Sequence, residues 1–217
     1  MSLTHSTNIA IRRPEMTPEQ KAEAERRVKA LEAEEAQRKL RERLSLSRIP
    51  GKYRQARIGM CPQSVREYAK HLDRGLILEG KQGRGKTYCG CAILLSHIDK
   101  FPVKFVTARE LIEASYPGSV DGQELLGKCR KTKLLLIDDL GKEKPTEHSL
   151  GELWKLIDYR ISWNKPTIIT TQFDKNGMIR RLASIGENET ALAIVSRLYG
   201  IDFERVFLGG EDKRAYV

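Results

Sequence analysis

Cysteine is scarce in this chain, acidic side chains are outnumbered by basic ones, and long apolar runs are missing. Only Cys89 and Cys91 lie close together among the four cysteines, the others being Cys61 and Cys129. No C-x-x-C pair and no neighbouring histidine supports a zinc site, so the four read as core thiols. No run approaches the ~18 apolar residues of a membrane span, so no membrane partner is expected. The N-terminus lacks the charged-then-apolar pattern of a secretory signal, and the expected location is cytoplasmic. No internal repeat is visible. What is present is 217 residues with 40% hydrophobic content. That suffices for one α/β domain with a real core, plus an appendage. The formal net charge is +10 and the isoelectric point about 9.5. An excess of that size attracts polyanions such as nucleic acid, but charge alone also fits a soluble protein that is simply basic.

Residues 1 to 13 read as a disordered start. Thr17-Pro18-Glu19-Gln20 then gives a helix-start signal: a hydroxyl cap, a proline at the first helical position and a glutamine three residues after the cap. The Lys/Glu/Ala/Arg-rich run that follows, to about Arg43, holds no proline or glycine. Its apolar positions, chiefly Val28, Leu31, Ala36, Leu40 and Leu44, make too thin a stripe for a core helix. Two readings stay open: a solvated arm braced by ion pairs, or a helix that docks on a partner. Ile49-Pro50-Gly51 ends the arm.

Strands and helices alternate from there, which predicts a parallel sheet with helices on both faces. Expected strands are Leu76–Leu78, Val103–Thr107, Leu134–Asp138, Thr167–Thr171 and Arg205–Leu208. Expected helices run over about 87–98, 109–114, 124–129, 149–163, from Asp174 to about Ala183, and 189–198.

Between the first strand and its helix, Gly80-Lys81-Gln82-Gly83-Arg84-Gly85-Lys86-Thr87 matches G-x-x-x-x-G-K-[ST] in full. Strand, glycine loop and helix start are the context this motif requires. Glycines let the backbone turn its N–H groups inward on a polyphosphate, and the helix N-terminus adds partial positive charge. In such a loop Lys86 bridges the β- and γ-phosphates and the Thr87 hydroxyl ligates Mg²⁺. The sequence therefore predicts a bound nucleoside triphosphate. About fifty residues on, Leu134 to Asp138 is apolar until its last residue and is followed by Asp139. Such a strand sets a carboxylate at the C-terminal sheet edge, beside the phosphate loop. Asp138 is expected to hold Mg²⁺, and Asp139 to polarise the attacking water. Thr170-Thr171-Gln172 ends the fourth strand; Gln172 either helps orient that water or belongs to an ordinary polar strand end. Arg197 ends the last helix, where an arginine either compensates the helix dipole or reaches a neighbouring subunit's γ-phosphate.

Taken together, these elements make the chain resemble AAA+ ATPases of the DnaC/IstB type, a clade of helicase loaders and transposition helpers. The resemblance runs from about Ile49 to Arg214. It covers Ile49-Pro50-Gly51-Lys52-Tyr53, Gly80 to Thr87, Leu135-Leu136-Ile137-Asp138-Asp139-Leu140-Gly141, and Leu156-Ile157-Asp158-Tyr159-Arg160. It continues through Lys165 to Gln172, Ser196-Arg197-Leu198 and Gly210-Glu211-Asp212-Lys213-Arg214. It implies a sheet of order 5-1-4-3-2, ATP and Mg²⁺ as ligands, and head-to-tail homo-oligomers with ATP at each junction. It also implies a sensor role for Gln172, where asparagine is usual, and an arginine-finger role for Arg197. Nine residues follow Leu208, too few for a C-terminal helical lid, and no sensor-2 arginine is assigned. The resemblance further implies that the arm, residues 1–48, contacts a hexameric replicative helicase. The ATPase domain, 49–217, would bind single-stranded DNA, with Lys128, Arg130, Lys131 and Lys133 as candidates; a solvated basic turn is the other reading of those four. The function expected is an ATP-dependent helicase loader. The alternatives are a transposition helper that binds duplex DNA and recruits a transposase, and an adaptor that uses ATP only as a structural ligand.

Overall fold

The computed structural model describes residues 17–116, 118–186 and 188–212. The expected disordered start at 1–13 and the terminal Lys213 and Arg214 lie outside them. The chain divides into two compact units, 1–39 and 40–217.

Helix α1 (Pro18–Leu46) begins as its sequence dictates. Gln20 N–H donates to Thr17 Oγ1 at 3.3 Å and Thr17 N–H donates to Gln20 Oε1 at 3.0 Å, closing a capping box. No residue of α1 is buried, and Val28 and Leu31 are 53% and 65% exposed. Ion pairs one helical turn apart, Arg27–Glu23 and Lys39–Glu35, lie along its surface.

The second unit is built on five parallel strands: β1 (Gly75–Glu79), β2 (Val103–Thr107), β3 (Leu134–Asp138), β4 (Thr167–Thr171) and β5 (Phe203–Phe207). Their order is β2-β3-β4-β1-β5, the expected 5-1-4-3-2 read from the other edge. Successive side chains of a strand face opposite sides, so a sheet covered on both faces needs nearly unbroken apolar strands. On one face Leu76, Leu78, Leu134, Leu136 and Ile168 pack on α2 (Gln63–His71) and α3 (Lys86–Leu95). On the other, Ile77, Leu135, Ile137 and Ile169 meet α4 (Ala108–Ser115), α5 (Val120–Lys131), α6 (Glu147–Ser162), α7 (Lys175–Leu182) and α8 (Asn188–Leu198). All four cysteines are buried. Among the described residues no helix is long and apolar enough to cross a membrane.

Strand β5 begins two residues before the expected Arg205, α3 ends at Leu95 rather than near Ile98, and two further helices differ more. Helix α5 starts four residues earlier than predicted, because Gly122 is a contact glycine rather than a loop residue. A Cβ there would lie 2.4 Å from the Ala114 carbonyl oxygen, so only glycine lets α5 close on α4. Helix α2 was not anticipated at all, although Val65, Tyr68 and Ala69 bury one helical face.

Candidate functional site

At the C-terminal edge of the sheet, the loop Gly80–Thr87 leaves β1 and enters α3. Gly80 takes φ +147°, and a Cβ on it would lie 2.4 Å from the Leu208 carbonyl oxygen. The exit of β5 thus packs on the loop, tied by Leu208 N–H to Glu79 O at 2.7 Å. Lys86 is buried, its Nζ donating to the carbonyls of Gly80 (2.7 Å) and Lys81 (2.9 Å).

Strand pairing brings the acidic residues to this loop. Thr87 Oγ1 donates to Asp138 Oδ1 at 2.9 Å. Thr170 Oγ1 donates to the same oxygen at 2.6 Å and accepts from Asp139 N–H at 2.8 Å. Burial pushes the Asp138 carboxyl above its ordinary range and the Asp139 charge adds to the rise, while the Thr170 and Thr87 hydroxyls oppose it. Asp139 follows at φ +62°, a left-handed conformation that aspartate tolerates better than most residues. Its Oδ2 accepts from Lys142 Nζ at 2.6 Å. The turn bearing Lys142 is pinned from α7: Arg181 donates to the carbonyls of Gly141 (2.7 Å), Lys142 (2.8 Å) and Glu143 (2.8 Å).

A cavity of about 800 Å³ opens over these groups. It is lined by Gln82 to Thr87, Asp138, Asp139 and Lys142, with Tyr53, Met60 and Phe105 on an apolar wall. The donor set fits a magnesium–nucleotide complex. A hydroxyl and a buried carboxylate 2.9 Å apart are hard oxygen ligands, and a cation there relieves the charge that burial penalises. Among the described residues no cluster of three or more acidic, histidine or cysteine side chains could cage a metal alone. Magnesium commonly completes its shell with phosphate oxygens and water, so two protein ligands suffice.

Other predicted residues lie outside this cavity. Gln172 is exposed, one residue past β4. Arg197, in the last turn of α8, pairs through Nη2 with Asp158 Oδ1 at 2.7 Å. Lys128 and Arg130 pair with Glu124 (2.6 Å) and Glu152 (3.7 Å) at the far end of α5. Sequence reasoning missed Lys142 and the contact of Thr170 with Asp138. Thr170 stood in a polar cluster read for its glutamine, and Lys142 carries no signal beyond lying three residues after Asp139.

A family model for IstB-like ATP binding proteins matches residues 12–214. The chain belongs to this family. As an IstB-like protein it binds ATP, and its fold is that of the AAA+ ATPases. No curated protein matches the chain. Among solved structures, that of DnaI is 23% identical, with 74% of this chain and 94% of that one covered and a TM-score of 0.64. The DnaC helicase loader is 21% identical over 74% of this chain and all of its own, with a TM-score of 0.59. The replication initiator DnaA bound to AMPPCP and single-stranded DNA is 16% identical over 73% of this chain and 51% of its own, with a TM-score of 0.57. At such identities these similarities speak for the fold alone.

Proposed function

We propose that this IstB-like protein is an ATP-dependent helicase loader of the cytoplasm. Its arm, residues 1–48, docks on a hexameric replicative helicase, and its ATPase domain, 49–217, helps place that helicase on single-stranded DNA. The observation that carries the reading is α1, whose Val28 and Leu31 stay exposed on a helix with no buried residue. A partner groove would give that narrow apolar stripe a face to bury. The similarity of the ATPase fold to DnaI and to the DnaC helicase loader supports the choice of partner.

In the proposed reaction Lys86 leaves the loop carbonyls for the β- and γ-phosphates, and loop N–H groups from Gly80 to Thr87 cradle them. Thr87 and Asp138 would hold Mg²⁺, which would supply charge neutralisation at the phosphates. Asp139 takes the proton of the attacking water once Lys142 yields its oxygen; Gln172, exposed outside the cavity, has no part in this step. Arg197 of a neighbouring copy stabilises the transition state, which explains its position outside its own cavity and predicts slow turnover before assembly.

The family match supports a second reading, a transposition helper on duplex DNA that recruits a transposase. Native mass analysis with the host's replicative helicase, ATP and Mg²⁺ separates the two. A defined complex that disappears when residues 1–39 are deleted supports the loader. No complex, together with coating of duplex DNA, overturns it in favour of the helper.

A further inference from the structure

The sheet has a second edge. All five strands run parallel, so their N-terminal ends converge opposite the nucleotide cavity. Five residues at roughly 3.3 Å each separate the two edges by about 15 Å. Two cavities of about 310 and 290 Å³ lie at this far edge and share Pro166, at the start of β4, as a common wall. The first is lined by Lys70, His71, Phe101 and Lys133, the second by Arg74, Asn164 and Lys165. Two carboxylates, Asp73 and Asp202, also line the second, and Arg74 pairs with Asp73 at 3.5 Å.

Lys133 and Lys165 belong to segments more than thirty residues apart in sequence, yet strand pairing makes them neighbours. Lys165 Nζ donates to the Lys131 carbonyl at 2.9 Å. Beneath them Arg160 is 1% exposed and engages only neutral oxygens. Among the described residues, neither Lys133 nor Lys165 has a carboxylate within ion-pair distance, whereas Lys128 and Arg130 do. Burial, with the charges of Arg160 and Lys133, pushes the Lys165 pKa down. Phe101, half-buried and packed against the core, lines the first cavity and stacks on His97 with ring centroids 5.5 Å apart and planes at 23°. Trp163, 65% exposed, precedes Lys165 by two residues.

We propose that this edge is a trough for single-stranded DNA, with Lys133 and Lys165 on its phosphates and Phe101 stacked on a base. The identity of the polyanion rests on the loader reading; the trough itself rests on the geometry. A duplex presents phosphates but keeps its bases stacked, so it leaves Phe101 unused. An acidic peptide would likewise satisfy the lysines and leave the ring idle. The trough lies away from the phosphate loop, so DNA and ATP occupy the protein together.

Fluorescence anisotropy of a labelled oligothymidylate, titrated with the full chain over a salt series, tests the proposal. Lys133→Ala/Lys165→Ala should weaken binding about tenfold and flatten the slope of log K against log salt by about 1.4, two single-strand phosphate contacts. Phe101→Leu should weaken binding about fivefold at unchanged slope. Lys128→Ala/Arg130→Ala should cost less than the Lys133/Lys165 pair. Labelled-ATP binding, expected to be unchanged in all three, reports that each variant is folded. Unchanged affinity and slope in the Lys133/Lys165 variant would overturn the trough, as would a wild-type preference for duplex or no oligonucleotide binding at all. Helicase capture in the native mass experiment needs no DNA, so a failed trough leaves the loader reading to stand or fall separately.

Discussion

Asp138 keeps a buried carboxylate on the hydroxyls of Thr87 and Thr170, and burial pushes its pKa up. A carboxyl whose folded pKa exceeds its unfolded value costs stability once ionised. That cost is absent below pH about 4, the unfolded range, and grows as pH rises through the folded pKa. Asp138→Asn is therefore expected to raise the melting temperature of the nucleotide-free protein at pH 7. The gain should shrink to nothing as pH falls below about 4, as calorimetry over a pH series would show. The same substitution should abolish stabilisation by Mg-ATP. For Arg197 the expected outcome is different in kind. Arg197→Ala should bind ATP normally and lose assembly-stimulated turnover, and mixing it with Lys86→Ala chains, which bring intact arginines, should restore activity; unaltered stimulation in the variant alone removes the trans role. Lys86, Thr87, Asp138 and Asp139 were legible in the sequence because a phosphate loop and an acidic strand end are local patterns. Thr170 and Lys142 were not. One meets Asp138 only through the β3–β4 pairing, and the other meets Asp139 only through the turn at Gly141 that Arg181 pins.

Among the elements, α6 does more than cover the sheet. Its Arg160 donates to the carbonyls of Cys129 (2.7 Å), Thr132 (3.0 Å) and Pro166 (2.7 Å) and to Thr167 Oγ1 (2.7 Å). One side chain thus joins the end of α5 to the starts of β3 and β4. Burial pulls its pKa down to about 10, so it stays charged at neutral pH. Arg160→Met keeps the stem but leaves buried carbonyls unpaired at about 1–3 kcal/mol each, offset by removal of a buried charge. The expected net loss is about 3 kcal/mol in urea denaturation; a loss under about 1 kcal/mol would mean that water replaces the guanidinium. Strands β2, β3 and β4 were read to the residue because each is a short stretch rich in β-branched or apolar residues between turn residues. Helix α2 escaped since a nine-residue helix with three buried positions resembles a polar loop. The start of α5 escaped since Gly122 answers to a tertiary contact that sequence does not display.

Over the whole molecule, the sheet order came from resemblance rather than from hydropathy, since periodicity predicts that strands exist but not who neighbours whom. The extent of the arm, too, depends on packing. Arg43 already donates to the carbonyls of Ile98 (3.1 Å) and Asp99, Leu44 packs on the core, and the Leu46 carbonyl accepts from Lys104 at 2.9 Å. Deleting residues 1–39 should leave melting temperature and ATP binding unchanged while abolishing helicase capture. Deleting 1–46 should lower the melting temperature as well, and equal melting of the two truncations would remove any structural part for residues 40–46. All four cysteines are buried, Cys91 is pushed up by burial, and Cys129 is raised to about 11. Thiolates that scarce and enclosed react slowly with maleimides. A dye or crosslinker aimed at a cysteine introduced at exposed Leu31 should therefore mark the arm alone, on the otherwise native chain.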